Sequence, residues 1–222
     1  MNVRRRLLHA MAAAGVLGPA GAVGLIREAL AGGATPVAPG IHRIRGTVTV
    51  NGQPAREGQL LRAGDTVATG PKSEAIYVIG QDAFLQRERA TVSVAGEAVA
   101  NVMRLITGGL LSVFGKGEKR LEVPTATIGI RGTACYLDAS EKSVYFCLCY
   151  GTAELQPKAE PGRVERIVTQ YHDRPMMINN DPSLPTMWSA PVVDHSDAEL
   201  TMLENLVGRW PPFYGKSGLI GY

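Results

Sequence analysis

The sequence predicts a mainly β protein, a sandwich or wound β-sheet domain with a short C-terminal helix. Three observations lead there. Short apolar runs recur at a spacing of roughly 8 to 12 residues, the interval of strands joined by tight turns. The 222 residues include 26 Gly and 14 Pro, more breakers than a helical bundle tolerates. One segment near the end has helical spacing behind a capping box. At 45% hydrophobic residues the chain can bury a substantial core, which excludes disorder and collagen-like repeats.

The elements follow in chain order. Met1 to Arg6 is a charged start, Leu7 to Ile26 an uncharged Ala/Gly/Leu-rich stretch, and Ala29-Leu30-Ala31 a small-x-small cleavage site. This is an export leader, residues 1–31, cleaved after Ala31. Retention as a membrane anchor is the alternative, and the only membrane contact the sequence offers. Arg4-Arg5-Arg6-Leu7-Leu8 resembles the twin-arginine signal, whose pathway exports proteins already folded. Either twin-arginine or general secretion leads to the periplasm. The leader holds Arg4, Arg5, Arg6 and Arg27 against Glu28 alone, so the body balances its basic and acidic residues. A neutral body with no Lys/Arg run offers no footprint for nucleic acid.

Residues 32–40 form a linker rich in small residues, and residues 41–180 the β domain. Ile41 to Val50 alternates and meets Asn51-Gly52, a strong hairpin signal because both residues accept positive φ. Gly64-Asp65 marks a tight turn whose carboxylate can accept local backbone N–H bonds, and Gly70 can take a left-handed conformation. Strands are expected at 66–70, 74–79, 83–86, 91–94, 110–114, 121–123, 128–130, 134–138, 144–150 and 163–169.

Two stretches in this region carry a resemblance. Gly46-Thr-Val-Thr-Val-Asn-Gly-Gln-Pro-Ala, continued by Gly58-Gln-Leu-Leu-Arg-Ala-Gly-Asp-Thr-Val-Ala-Thr-Gly70, is similar to the opening of a FecR-type periplasmic domain. Pro124-Thr-Ala-Thr-Ile-Gly-Ile-Arg-Gly-Thr133 resembles that family's most specific stretch. The likeness covers about residues 44 to 155 and implies the β fold. Family members best known by this domain regulate sigma factors across the membrane through a cytoplasmic region. Only six residues precede the apolar stretch here, so the expectation is an exported family member without that region. Arg131, in the second motif, is expected to reach backbone carbonyls or a carboxylate such as Asp65.

The departure from a generic domain of this type is Cys135, Cys147 and Cys149, followed by His172 and His195. Asp138 to Ser143 contains a hairpin turn, and if its register pairs odd residues with odd, strand alternation puts the three sulfurs on one face. Two readings follow. One is structural, a cross-strand Cys135–Cys147 disulfide or buried core thiols; Cys147 and Cys149, two apart on one strand, are poorly placed to bond each other. The other is a metal site, three thiolates with an imidazole from His172 or His195, a Cys3His tetrahedron suited to zinc or an iron–sulfur cluster. Each histidine also has a plainer role, His172 bonding Asp173 or a carbonyl and His195 packing ahead of a helix.

Residues 181–222 form an extension. Ser196-Asp197-Ala198-Glu199 is a capping box, and a helix over 197–207 should bury Leu200, Leu203 and Val207 and stop at Gly208. The tail Arg209-Trp210-Pro211-Pro212-Phe213-Tyr214 should pack onto the body. No paired carboxylates, triad signature or nucleotide motif marks an enzyme. The expectation is therefore an exported, non-catalytic binding or scaffold module with an envelope protein as partner. A periplasmic metal- or redox-cofactor-binding protein is the alternative, and an enzyme the remotest.

Overall fold

The computed structural model describes residues 33–95 and 102–216. The expected leader, with its arginine motif and cleavage site, lies outside the described residues, as does the end of the tail. Fourteen strands belong to one sheet: β1 (Gly40–Arg45), β2 (Val48–Val50), β3 (Gln53–Pro54), β4 (Thr66–Thr69), β5 (Glu74–Ile79), β6 (Asp82–Gln86), β7 (Thr91–Ala95), β8 (Val102–Val113), β9 (Glu118–Glu122), β10 (Ala126–Ala139), β11 (Ser143–Pro157), β12 (Glu165–Thr169), β13 (Met176–Asn179) and β14 (Met187–Ser189). One helix follows, α1 (Asp197–Leu206). The protein is mainly β, as expected, with the sheet wrapped over itself rather than closed into a barrel. No helix among the described residues is long and apolar enough to cross a membrane.

Three long strands do the wrapping by changing partners midway. The first half of β8 pairs with β7 and its second half with β6 and β10. β10 passes from β9 to β8, and the partner that lies beside β11 changes from β13 to β12. The changes fall at glycines. Gly108 has φ +78°, and a Cβ there would stand 2.6 Å from the Ala90 backbone; Gly151 has φ +101°, and a Cβ would meet Thr133 at 2.7 Å. Only glycine supplies both the left-handed turn and the close approach. These glycines are also why sequence reading breaks the long strands. β10 runs through both the 128–130 and 134–138 segments, bulged between Arg131 and Cys135. Gly70 behaves differently from expectation: it keeps a negative φ and serves close packing against Thr47, while Gly46 takes the left-handed conformation.

The inner core lies between the wrapped layers. Val48, Val50, Val67, Val92, Val94, Leu105, Leu110, Ile128, Ile130, Leu137, Phe146 and Leu155 point into it at alternate positions. The Asn51-Gly52 hairpin forms as expected, with φ +53° and +75° and Val50 opposite Gln53. Asp65 accepts bonds from the Arg62 backbone N–H and the Asn51 side chain, 2.7 Å each. Arg131 does not reach Asp65; it pairs with Glu118 at the exposed surface.

A second apolar layer covers the outer face of β5, β6, β8, β10 and β11. Ile76, Val78, Leu85, Leu111, Val113, Tyr136, Cys147 and Cys149 form its floor, and Leu200, Met202, Leu203, Leu206 and Phe213 its roof. Strands buried on both faces read as continuous apolar runs, which accounts for Val144-Tyr-Phe-Cys-Leu-Cys-Tyr150. Helix α1 opens on the Ser196 capping box and is followed by Gly208 at φ +74°. Leu206 is the buried final turn residue, with Val207 as the cap. The tail packs through Phe213, edge-on to Tyr150 and Tyr171, while Trp210 and Tyr214 stay half-exposed.

Gly52 and Gly108 share a left-handed backbone, but a Cβ on Gly52 would meet nothing within 4 Å. Replacing each by alanine separates the backbone term from the contact. Gly108→Ala should lose about 1–3 kcal/mol more than Gly52→Ala, the usual cost of overpacking, measured by urea unfolding. Equal losses would show that the Ala90 segment gives way freely.

Candidate metal centre

The hairpin joining β10 to β11 decides which cysteines can meet. The Ser140 backbone N–H donates to the Ser143 carbonyl at 2.9 Å, and the two hydroxyls lie 3.0 Å apart. This tight turn sets Ala139 opposite Val144, so that Tyr136 faces Cys147 and Cys135 faces Leu148. Odd residues thus pair with even ones, and neighbours across an antiparallel pair share a face. Cys135 points into the inner core with Leu137 and Phe146, whereas Cys147 and Cys149 point into the outer layer with Tyr136. The expectation of three sulfurs on one face is corrected by this register. The Cys135–Cys147 disulfide is corrected with it, and all three cysteines are free.

The remaining four candidates come together. Cys147 Sγ, Cys149 Sγ and one ring nitrogen from each of His172 and His195 all lie within 4.8 Å of one another, and all four residues are buried. Three separate segments supply them. β11 carries the two sulfurs at alternate positions; the turn after β12 carries His172, whose backbone N–H donates to the Cys149 carbonyl at 3.0 Å. The segment between β14 and α1 carries His195. His172 itself has φ +49°, and Asp194, next to His195, has φ +58°. Left-handed backbone at non-glycine residues is held only where surrounding structure over-determines it, and both instances here aim an imidazole inward.

The outer ring nitrogens of the two histidines face polar atoms of the protein. His195 Nδ1 lies 2.7 Å from the Val193 carbonyl, an acceptor, so that nitrogen carries a proton and Nε2 points inward. His172 Nε2 lies 3.4 Å from an Asp197 carboxylate oxygen, and the other oxygen of Asp197 accepts from the Tyr171 hydroxyl at 2.6 Å. Its Nδ1 faces inward, 3.1 Å from His195 Nε2 and 3.5 Å from Cys147 Sγ. Asp173, expected as a possible partner of His172, instead closes its own turn on Thr169 and the Gln170 N–H. Aromatic rings wall the group: Tyr136 stacks on His195 at 5.0 Å and 22°, and Tyr171 meets His172 edge-on at 5.0 Å.

The two sulfurs differ. The Cys149 thiol bonds Cys147 and, with the two imidazoles, holds Cys147 well below the usual thiol range despite its burial. Burial, together with the neighbouring Cys147, pushes Cys149 far up. Two sulfurs and two imidazoles converge on a single point. Cys147, His172 and Asp197 also line up as a nucleophile relay would. Cys147 is 0% exposed, however, and the groove above the site is lined by His195 and Tyr136 rather than by sulfur.

Sequence reading therefore found four of the residues assembled here and added Cys135, which register excludes. It missed the supporting shell of Val193, Asp197, Tyr136 and Tyr171. Asp197 was visible only as an acid in a helix first turn, and no local signal tied it to a histidine 25 positions earlier.

The fold and site define a mainly β protein with a buried Cys2His2 group. No family profile and no curated protein matches the chain. Two crystal structures of a candidate anti-sigma factor from Parabacteroides distasonis, at 1.65 and 2.50 Å resolution, are similar to it. Both are 10% identical, with TM-scores of 0.45 and 0.44, covering 53% of this chain and 56% and 55% of theirs. The chain thus spans about half the length of the solved structures it matches, and the FecR-type resemblance continues to rest on the two sequence motifs.

The register makes a direct prediction. Protein isolated without reductant and denatured should have the intact mass of three free thiols. A mass two hydrogens lighter, with Cys135 and Cys147 linked in the peptide map, would show that the β10–β11 pairing is shifted by one residue.

Proposed function

We propose that this chain is an exported, non-catalytic FecR-like module of the bacterial envelope whose outer layer is pinned by a single zinc-type ion on Cys147, Cys149, His172 and His195. One observation carries the metal reading. His172 Nδ1 and His195 Nε2 face each other at 3.1 Å in a buried site, with Cys147 Sγ 3.5 Å from the first and Cys149 Sγ gathered beside them. Two imidazole nitrogens and two sulfurs brought this close, away from water, are the donor set and spacing of a tetrahedral zinc site.

The spacing suits one ion. Zinc bonds of about 2.3 Å to sulfur and 2.0–2.1 Å to nitrogen give tetrahedral edges of about 3.3 Å between nitrogens, 3.6 Å between nitrogen and sulfur and 3.8 Å between sulfurs. The observed 3.1 and 3.5 Å sit close to the first two. An iron–sulfur cluster must seat several irons and sulfides among its ligands, and a group gathered within 4.8 Å favours a single ion. Four protein ligands leave no open position for substrate, which is the form of a structural rather than a catalytic centre. The ion would tie β11 to the turn after β12 and to the entrance of α1. A twin-arginine leader suits such a protein, because it permits loading and folding before export.

Elemental analysis and native mass spectrometry of the full chain should find one zinc per chain. Cys147→Ser and His195→Ala should each lower zinc affinity by at least about tenfold, as loss of a ligand must if loss of a supporting partner alone costs 10–100-fold. Cys135→Ser should retain full occupancy. Zinc at a thousand times its wild-type Kd should raise unfolding free energy by about 4 kcal/mol, a gain that falls in the ligand variants by about 1.4 kcal/mol for each tenfold loss of affinity. A chain that binds no ion, or one whose binding is lost equally with Cys135, overturns the site.

A further inference from the structure

Three of the four converging side chains are sealed. Cys147 and Cys149 are 0% exposed, and His172 lies under Tyr171 and the start of α1. His195 differs: with Tyr136 it forms the floor of an open groove of about 860 Å³ on the protein surface. The groove is also lined by Gly108, Gly109, Asp138, Asp194 and Glu199, with Asp138 directly across the β10–β8 pair from Gly109. A Cβ on Gly109 would stand 2.7 Å from the Tyr136 hydroxyl, so this glycine keeps the floor open to the tyrosine edge.

The charge of the groove is arranged unequally. Four carboxylates line it against the guanidinium groups of Arg87 and Arg89. Arg87 is spent on Glu199 at 2.8 Å and Glu74 at 3.5 Å, and Arg89 on Glu88 at 3.5 Å. That leaves Asp138 and Asp194, both exposed, as the negative charge facing solvent. The two sense each other, since partial burial and the nearby Asp194 hold the Asp138 carboxyl above its usual range. A cation between them relieves that repulsion.

His195 is also the ligand best placed to move. The sulfurs sit in mid-strand and His172 is tied to β11 through its backbone, but His195 lies in an irregular segment between β14 and α1. That segment is fastened by the Arg87 guanidinium on the Asp194 carbonyl at 2.8 Å, by Tyr145, which donates to the Pro191 carbonyl and accepts from the Val193 N–H, and by the Tyr136 stack.

We propose that this groove is the route by which a divalent cation enters and leaves the Cys2His2 centre, with Asp138 and Asp194 collecting it at the mouth and the Tyr136–His195 stack acting as the gate. The proposal rests on the metal reading of the site. The centre is therefore exchangeable from one face of the protein and its occupancy follows cation supply after folding. Asp138, Asp194 and Tyr136 are positioning residues; none is a ligand.

The test uses the full chain and zinc alone. Release from the loaded protein is followed with a chromogenic chelator, and uptake by the stripped protein after mixing with zinc. Tyr136→Ala should release zinc about tenfold faster, the factor expected on losing an aromatic stack. The double variant Asp138→Asn, Asp194→Asn changes only exposed side chains. It should take zinc up about tenfold more slowly at low ionic strength, and its uptake should lose most of the wild-type salt dependence. Wild-type rates and salt dependence in the aspartate variant, on protein that still holds one zinc per chain, overturn the route and leave the site standing. If wild-type protein holds no zinc, the site reading fails and the route falls with it.

Discussion

The register of one hairpin governs the chemistry of this molecule. Because Ser140 and Ser143 close the β10–β11 turn on each other, Ala139 meets Val144 and every pair from there to Cys135–Leu148 has one odd and one even member. A slip of one residue would exchange the faces of all the side chains on β11. Cys147 and Cys149 would then enter the inner core beside Cys135, and Phe146 and Leu148 would face the helix. The fold opposes that slip with the aromatic and aliphatic packing on both faces of the strand. The position of two sulfurs is thus set by large neighbours with no metal chemistry of their own.

Polar groups in an otherwise apolar layer impose the second constraint. Two sulfurs and two imidazoles placed among Leu111, Val113 and Leu203 lose their hydration, a cost that hydrogen bonds only partly offset. The outer nitrogen of His195 is provided for by Val193, and Asp197, 3.4 Å from His172 Nε2, is held by Tyr171. The inward atoms face one another at the point where the four ligand atoms converge. The contrast with Tyr150, Glu204 and Arg209 is instructive. That network is also buried beneath the helix, but its charges are matched, the tyrosine hydroxyl donating to Glu204 and the guanidinium pairing with it at 2.5 Å while donating to the Gln81 carbonyl.

What the sequence made legible was local. The Ser196 capping box, the Asn51-Gly52 turn and the Asp65 turn each depend on residues within a few positions, and each forms as read. Glu74–Ile79 is read to the residue because both its faces are buried and the run is unbroken. The long strands were legible only in pieces, since Gly108, Gly132 and Gly151 read as terminators where the structure uses them to bend a continuing strand. β13 and β14 are short, and β13 joins the sheet through β11, across the whole of β12. Four of the five candidate ligands were legible as residue types, but their company was not. Whether Cys135 belonged turned on the parity of one turn, which alternation alone does not supply.

The C-terminal layer shows why a metal and a helix belong together here. Helix α1 has ten residues, too few to persist alone in water, and its last turn has no basic residue to offset the carbonyl dipoles. Its stability therefore comes from the outer layer it roofs and from the geometry of its entrance. That entrance is where His195, Ser196 and Asp197 stand in succession, a candidate ligand, the N-cap and the carboxylate that orients the other histidine. An ion at the centre would hold the first turn in place from outside the helix, and a docked helix would hold Asp197 against His172. Each is a condition for the other, so the centre and the layer should form and open as one cooperative unit, with β11 as their shared anchor.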